Sequence, residues 1–309
     1  MPLIVYRKGV VESMKKRLIS GLVYAGILVG CFLLKIFVHD FFLDGLLYLF
    51  ALLGAFEVLR AVKGKITKTE GVLCYGFAIV AIPACALFEY FFGLGLVTVG
   101  VCFLIFAVCV IVLLVFDYEK TTIENVGVSL LSGVYPTLLL CLLVLVNHAV
   151  TTPNLAKVGF DSHLLILFIF IISPMADSFA YLFGMTMGKK FPKKMAPSIS
   201  PNKTRIGGIG GLFGGVVASV ILYFAYGAVV GNGYAQTEVW LPVYIGIGLL
   251  TALATELGDL VESAIKRKVG IKDMGNVMPG HGGIMDRIDG TLFASLAVYA
   301  VFLLIRVIV

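Results

Sequence analysis

Asp286 and Asp289 stand three residues apart in PGHGGIMDRIDG, just ahead of an apolar run. Asp259 and Glu262 repeat that spacing upstream in TELGDLVESAIKRKVGIKD. Residues three apart on a helix share a face, so Asp259, Asp286 and Asp289 can offer oxygen ligands to one hard cation. Mg2+ typically takes one or two carboxylates and completes its octahedron with water and substrate phosphate. Lys266, Arg267, Lys272 and Arg287 are interleaved with these acids. Carboxylates for a metal and cations for phosphate together equip a site for phosphoryl or nucleotidyl transfer. His281, set in PGHGG, reads as a hinge or hydrogen-bonding residue at least as readily as a base. Gly282 and Gly283 permit positive φ and close approach of the backbone to a ligand.

A second polar group lies earlier. Asp177, in SPMADSFAYLFG, falls within an apolar helix about two turns from its end. An ionisable side chain at such depth usually faces a partner or a wet cavity. Pro174 just before it is expected to disturb the helix and free a carbonyl. Further on, Ser200, Asn202, Lys203 and Thr204 precede Gly207, Gly208, Gly210 and Gly211. A polar stretch with a lysine, running into a helix start, offers N–H groups and a dipole to phosphate. The pattern is not a Walker A loop. Lys189, Lys190, Lys193 and Lys194 need only anchor the chain at a membrane surface. Glycines 207, 211 and 215 repeat every four residues, as do 210 and 214. That stripe predicts close helix packing, within the chain or across a homodimer. Glu57 and Arg60, one turn apart, read as a structural pair.

The elements that must position these groups follow from composition. Of 309 residues, 60% are hydrophobic and 14% charged, and the mean hydropathy is +1.04. Soluble domains carry about 25% charged residues, so the bilayer must be the solvent for most of this chain. The six cysteines all fall in apolar runs without metal-ligand spacing, which predicts neither disulfides nor a zinc site. Spanning helices need about 20 apolar residues each. Nine candidates run at 18–38, 41–60, 71–90, 94–116, 127–149, 163–184, 207–230, 240–258 and 290–309. The expected fold is an all-α polytopic bundle, and the first span reads as a retained anchor.

Orientation follows from Lys and Arg. With the N-terminus cytoplasmic, segments 1–17, 60–70, 117–126, 185–206 and 259–289 hold 21 of the 24 basic residues. The exceptions are Lys35, Lys157 and Arg306. This divides the chain into a basic N-terminal segment (1–17), about five helices (18–162) and a catalytic region of about four (163–309). The last part carries the cytoplasmic loops 185–206 and 259–289.

Residues 263–289, SAIKRKVGIKDMGNVMPGHGGIMDRID, resemble the signature of the phosphatidate cytidylyltransferases, or CDP-diacylglycerol synthases. The matching positions are Ser263, Lys266, Arg267, Lys272, Asp273, Pro279, His281, Gly282, Gly283, Asp286, Arg287 and Asp289. KKRLISGLV at 15–23, AFEVLR at 55–60, DSFAYLFG at 177–184 and SPNKT at 200–204 are also similar to the family, so the resemblance covers 14–309. Met14 ahead of KKRLISG makes residues 1–13 read as an extension or a start-codon artefact. Asn202 stands where the family has lysine, Ile206 where it has glutamate, and Met278 where Ile or Leu is usual.

The resemblance implies Mg2+-dependent reaction of CTP with phosphatidic acid to give CDP-diacylglycerol and pyrophosphate, in phospholipid biosynthesis. It implies Mg2+, alone or with a second cation, on Asp259, Asp286 and Asp289. Lys266, Arg267 and Arg287 would act on the phosphates. Asp177, Ser200, Lys203, Thr204, Lys272, His281, Gly282 and Gly283 would contact substrate. The expected setting is a bacterial inner membrane with the site on the cytoplasmic side and no nucleic-acid partner. Another lipid-phosphate transferase would use similar residues, but the D-G-x-x-A-R pattern of CDP-alcohol phosphotransferases is absent. An ion-coupled transporter would place carboxylates deep in several spans, whereas most here lie near span ends.

Overall fold

The computed structural model describes residues 2–150, 160–230, 237–280 and 282–308. Among them are nine helices long and apolar enough to cross a membrane. The protein is a polytopic helical membrane protein. In chain order the helices are α1 (Pro2–Phe37), α2 (Phe41–Ala61), α3 (Lys68–Phe92), α4 (Gly95–Phe116) and α5 (Ile123–Gly133). A π-turn at Val134–Leu138 leads into α6 (Leu139–Asn147), which completes the fifth span, and α7 (Ser162–Met187) follows. Then come strands β1 (Lys194–Ala196) and β2 (Ser200–Thr204), and helices α8 (Arg205–Val230), α9 (Thr237–Val269) and α10 (Met285–Ile308).

Local chemistry sets the helix ends. Thr67 and Glu70 form a reciprocal capping box at the start of α3, and Gly93 closes that helix at φ 65°. Thr122 and Asn125 cap α5 in the same way. Asp161 Oδ1 accepts the Leu164 N–H at 2.9 Å and starts α7. Thr204 Oγ1 accepts the Gly207 N–H at 3.1 Å and caps α8. Each such side chain satisfies an N–H that the helix itself cannot. Pro136 in the fifth span coincides with the π-turn. α7 runs through Pro174 without ending. The Ser178 hydroxyl donates to the Pro174 carbonyl at 2.7 Å there.

The polar segment before α8 is a small antiparallel hairpin, with Lys194 opposite Thr204 and Ala196 opposite Ser200. Several span limits differ from the sequence reading, among them three beside the polar loops. The seventh begins at Arg205, the eighth continues to Val269 and the ninth begins at Met285. The eighth extends because Glu262 and Lys266 pair one turn apart at 2.9 Å, which keeps a charged stretch helical.

Packing runs α7 on α8, α8 on α9 and α9 on α10, while α6 and α2 carry α10 against the N-terminal helices. The glycine stripe of α8 is used on both sides. A Cβ at Gly214 would stand 2.8 Å from the Met175 carbonyl of α7, and one at Gly215 2.6 Å from the Gly248 carbonyl of α9. Lipid tails are as apolar as side chains, so helices in a bilayer gain by such close approach. The stripe is thus occupied within the chain. One continuous core, with Leu47, Ile82, Leu140, Leu164 and Phe168 wholly buried, joins the helices.

Lys35, an exception to the charge rule, is buried at the other end of the bundle. Its Nζ donates to Asp40 at 2.5 Å, the Asn147 carbonyl at 3.0 Å and Ser162 at 3.2 Å. Nearby, Asp44 bonds His148 at 2.6 Å and Asn147 at 2.8 Å. Ser20, near the start of the same span, donates to the Pro279 carbonyl at 3.1 Å. At 1.5 Å rise per residue the two contacts lie roughly 22 Å apart along α1.

Candidate active site

The unusual residues gather at the end of the bundle marked by Pro279. α9 supplies Glu256, Asp259, Glu262 and Lys266 on successive turns of one face. Lys266 Nζ bridges two acids, donating to Glu262 Oε2 at 2.9 Å and Asp286 Oδ1 at 2.7 Å. The other oxygen of Asp286 accepts the N–H groups of Met274 at 2.9 Å and Gly283 at 2.8 Å. Asp286 therefore holds the loop between α9 and α10 while touching the lysine.

Two glycines decide how closely the acids meet. A Cβ at Gly258 would stand 2.6 Å from the Asp289 carbonyl, and one at Gly290 2.7 Å from Thr255 Cγ2. Because α9 and α10 cross at these glycines, the adjoining Asp259 and Asp289 come within electrostatic reach of each other. Asp289 also adjoins Glu262, which is fully buried and has Oε1 without a partner. Tyr135, in the π-turn, has its buried hydroxyl without a partner and lies within electrostatic reach of Glu262, Asp289, Asp259 and Asp286. π-Turns are frequent at functional sites.

Beside this cluster is a cavity of about 560 Å³ between α7, α8, α9 and the hairpin, lined by Asp177, Lys203, Thr204, Glu256 and Asp259 among others. Lys203 Nζ forms an ion pair with Asp259 Oδ2, and Ser263 Oγ lies 3.4 Å from the other oxygen. Asp177 is exposed where it meets the cavity. Asp289, Asp259, Lys203 and Arg287 all act on it electrostatically, so the two polar groups of the sequence form one site.

Other predicted residues have different surroundings. Arg267 donates to the carbonyls of Ile199 at 3.4 Å and Ile271 at 3.2 Å, tying the hairpin to the loop after α9. Ser200 pairs with Ala196 in the hairpin, and Lys272 is exposed. Arg287 is exposed and acts electrostatically on Tyr24. Gly282 has φ 87°, and a Cβ there would stand 2.7 Å from Asp286 Oδ2. His281 lies outside the described residues.

Glu57 corrects the sequence reading. It is 2% exposed, and its two oxygens accept the N–H groups of Ile284 and Met285, each at 3.0 Å, rather than pairing with Arg60. This contact explains why α10 begins five residues earlier than hydropathy suggests. It also explains Gly283: the close approach its missing side chain permits is to Glu57. Glu256 went unnoticed in the sequence. Its Oε1 is buried without a partner, and a Cβ at Gly211 would overlap it. The signal was the pair Gly208 and Gly211, read in the sequence as part of a phosphate-facing helix start and, for Gly211, as helix packing.

The donors here are oxygens, which suits a hard cation, and the orphaned Glu262 Oε1 beside Asp289 is consistent with one. Among the described residues no three acids already converge as a closed metal cage; Asp259 and Asp286 are each drawn to a lysine.

The fold and site define a polytopic membrane protein with a carboxylate- and lysine-rich site beside a cavity between its helices. The profile of the cytidylyltransferase family matches residues 15–305, and the chain belongs to that family. It is similar to the phosphatidate cytidylyltransferase of Bacillus subtilis strain 168, at 30% identity over 295 residues, 93% of this chain and 97% of the relative. It is 45% identical over 129 residues to that of Staphylococcus aureus strain COL, 41% of this chain and 45% of the relative. That of Staphylococcus epidermidis strain RP62A is 43% identical over 128 residues, again 41% and 45%. The matched stretch thus spans less than half the length of these staphylococcal relatives.

Proposed function

We propose that the protein is a phosphatidate cytidylyltransferase, joining CTP to phosphatidic acid with release of pyrophosphate. The observation that carries this reading is the chain Glu262–Lys266–Asp286 standing beside the Lys203–Asp259 pair at one end of a membrane bundle. One substrate is water-soluble and the other lies in a leaflet, so the reaction needs both groups at that boundary. The loops at this end are the basic ones, which supports a site on the cytoplasmic side; an inner membrane is part of the same proposal. The catalytic region is then 163–309, steadied by Glu57 from the helices before it.

In the reaction, an oxygen of the lipid phosphate bonds to the α-phosphorus of CTP. The α–β bridging P–O bond breaks, and its electron pair leaves with pyrophosphate. Both reactants are anions, and two unit charges ~4 Å apart repel by about 4 kcal/mol at an effective dielectric of 20. Lys203, released from Asp259, holds the lipid phosphate in this proposal. Lys266, Arg267, Lys272 and Arg287 hold the triphosphate and the departing pyrophosphate. Mg2+, alone or with a second cation, held by Asp259, Asp286 and Asp289, would supply charge neutralisation at the triphosphate. The nucleophile is already an anion near neutral pH, so no general base is needed, and His281 takes a positioning role. Rate enhancement then rests on in-line positioning and charge stabilisation.

The test follows the label. With purified protein, phosphatidic acid and Mg2+, CTP labelled at its α-phosphate should transfer radioactivity to the organic phase, and γ-labelled CTP should not. Label that stays aqueous in both cases would refute the reading.

A further inference from the structure

Glu57 belongs to α2, far in sequence from the acids of the site, yet it is walled in by their loop. A Cβ at either Gly275 or Gly283 would overlap its carboxylate. Its oxygens accept two consecutive N–H groups, Ile284 and Met285, at 3.0 Å each. These are the residue just before α10 and its first residue, where an anion is favoured by unpaired donors and the helix dipole. One residue further, Asp286 reaches back to the N–H groups of Met274 and Gly283. The loop between α9 and α10 is thus held by two carboxylates, one at each side of Gly283. Only Asp286 also meets a site lysine.

We propose that Glu57 is a positioning residue: it fixes where α10 begins, and through that where Asp286 and Asp289 stand, without touching substrate. Charge and length both matter. Glutamine would turn an amide N–H toward one of the two backbone N–H groups, and aspartate would withdraw the acceptor by one methylene. The role in rate rests on the reaction proposed above, whereas the hold on the loop does not.

The experiment compares wild type, Glu57→Gln, Gly283→Ala and the double variant Glu57→Asp with Gly283→Ala. Each is measured for kcat, KM for CTP, Mg2+ dependence and hydrogen exchange in the peptide spanning 284–285. In Glu57→Gln we expect faster exchange in that peptide and kcat lower by about 10- to 100-fold, as for other groups that orient ligands. KM for CTP should move less than about threefold, since substrate contacts remain. More Mg2+ should be needed for half-maximal rate. Gly283→Ala should be similarly impaired. In the double variant the shorter aspartate relieves the overlap with the new methyl group but no longer reaches both N–H groups, so exchange in the 284–285 peptide should stay fast and kcat should stay near that of Gly283→Ala. Wild-type kcat or unchanged exchange in Glu57→Gln, or a double variant with wild-type kcat while exchange stays fast, would overturn the proposal. If the wild type itself shows no CTP- and lipid-dependent turnover, the reaction is wrong. The exchange comparison then decides the positioning role by itself.

Discussion

Gly258 of α9 lies directly against the backbone of Asp289 in α10; a Cβ at that glycine would stand 2.6 Å from the Asp289 carbonyl oxygen. The acid beside each glycine, Asp259 and Asp289, owes its place to this crossing. Gly258→Ala must push the helices apart by a few tenths of an ångström or more. Overpacking of this kind costs about 1–3 kcal/mol. The expected outcome is a folded protein of lower thermal stability that has lost most of its turnover. Full activity in a stable Gly258→Ala variant would show that the crossing does not set the site.

Asp286→Asn and Asp289→Asn should each abolish turnover while the protein still inserts and folds, as judged by detergent-phase size exclusion. Wild-type rates in either variant would remove the metal assignment. Lys266→Met behaves differently. It leaves buried Glu262 without its cation, and breaking such a pair costs about 3–5 kcal/mol. Thermal unfolding should therefore drop well below that of the two asparagine variants.

Lys203→Ala should reduce turnover on the lipid substrate more than it weakens CTP binding. Turnover against lipid concentration and nucleotide binding by calorimetry separate the two. Equal losses in both would make Lys203 a general structural partner of Asp259.

At the opposite end, Asp161 starts α7 and accepts the Tyr226 hydroxyl at 2.7 and 2.8 Å. Burial acts to raise its pKa, but hydrogen bonds from His163, the Leu164 N–H and Tyr226 outweigh it and hold the carboxyl below its usual range. Its stabilising contribution is therefore complete above the unfolded value of about 3.9 and is lost as pH falls through the lower folded value. Asp161→Asn keeps a good cap, so the stability gap to wild type should be present at pH 7 and close below pH ~4. A gap that does not change with pH would contradict this.

Span number, span placement and the grouping of acids with basic residues were legible in the sequence, because hydropathy and charge act locally. Contacts between distant segments were not. Glu57 looked like a partner for Arg60 since both lie on one helix, and nothing local shows that its acceptors face residues 284–285. The end of α9 and the start of α10 were misjudged for the same reason: charged residues there are helical because Lys266, Glu262, Asp286 and Glu57 satisfy one another and the backbone. Pro174 was expected to disturb α7 and free a carbonyl, and the helix nonetheless runs on through it. The glycines of α8 announced close packing correctly, but not that two of them make room for Glu256.

The most direct measurement of the central claim is pyrophosphate release by the purified protein in detergent with Mg2+ and phosphatidic acid. CTP is compared with ATP and dCTP, and each with and without lipid. The account predicts release that requires both CTP and the lipid, with Asn202 and Ile206 in place. Folded protein that releases no pyrophosphate with any of several divalent ions would contradict it.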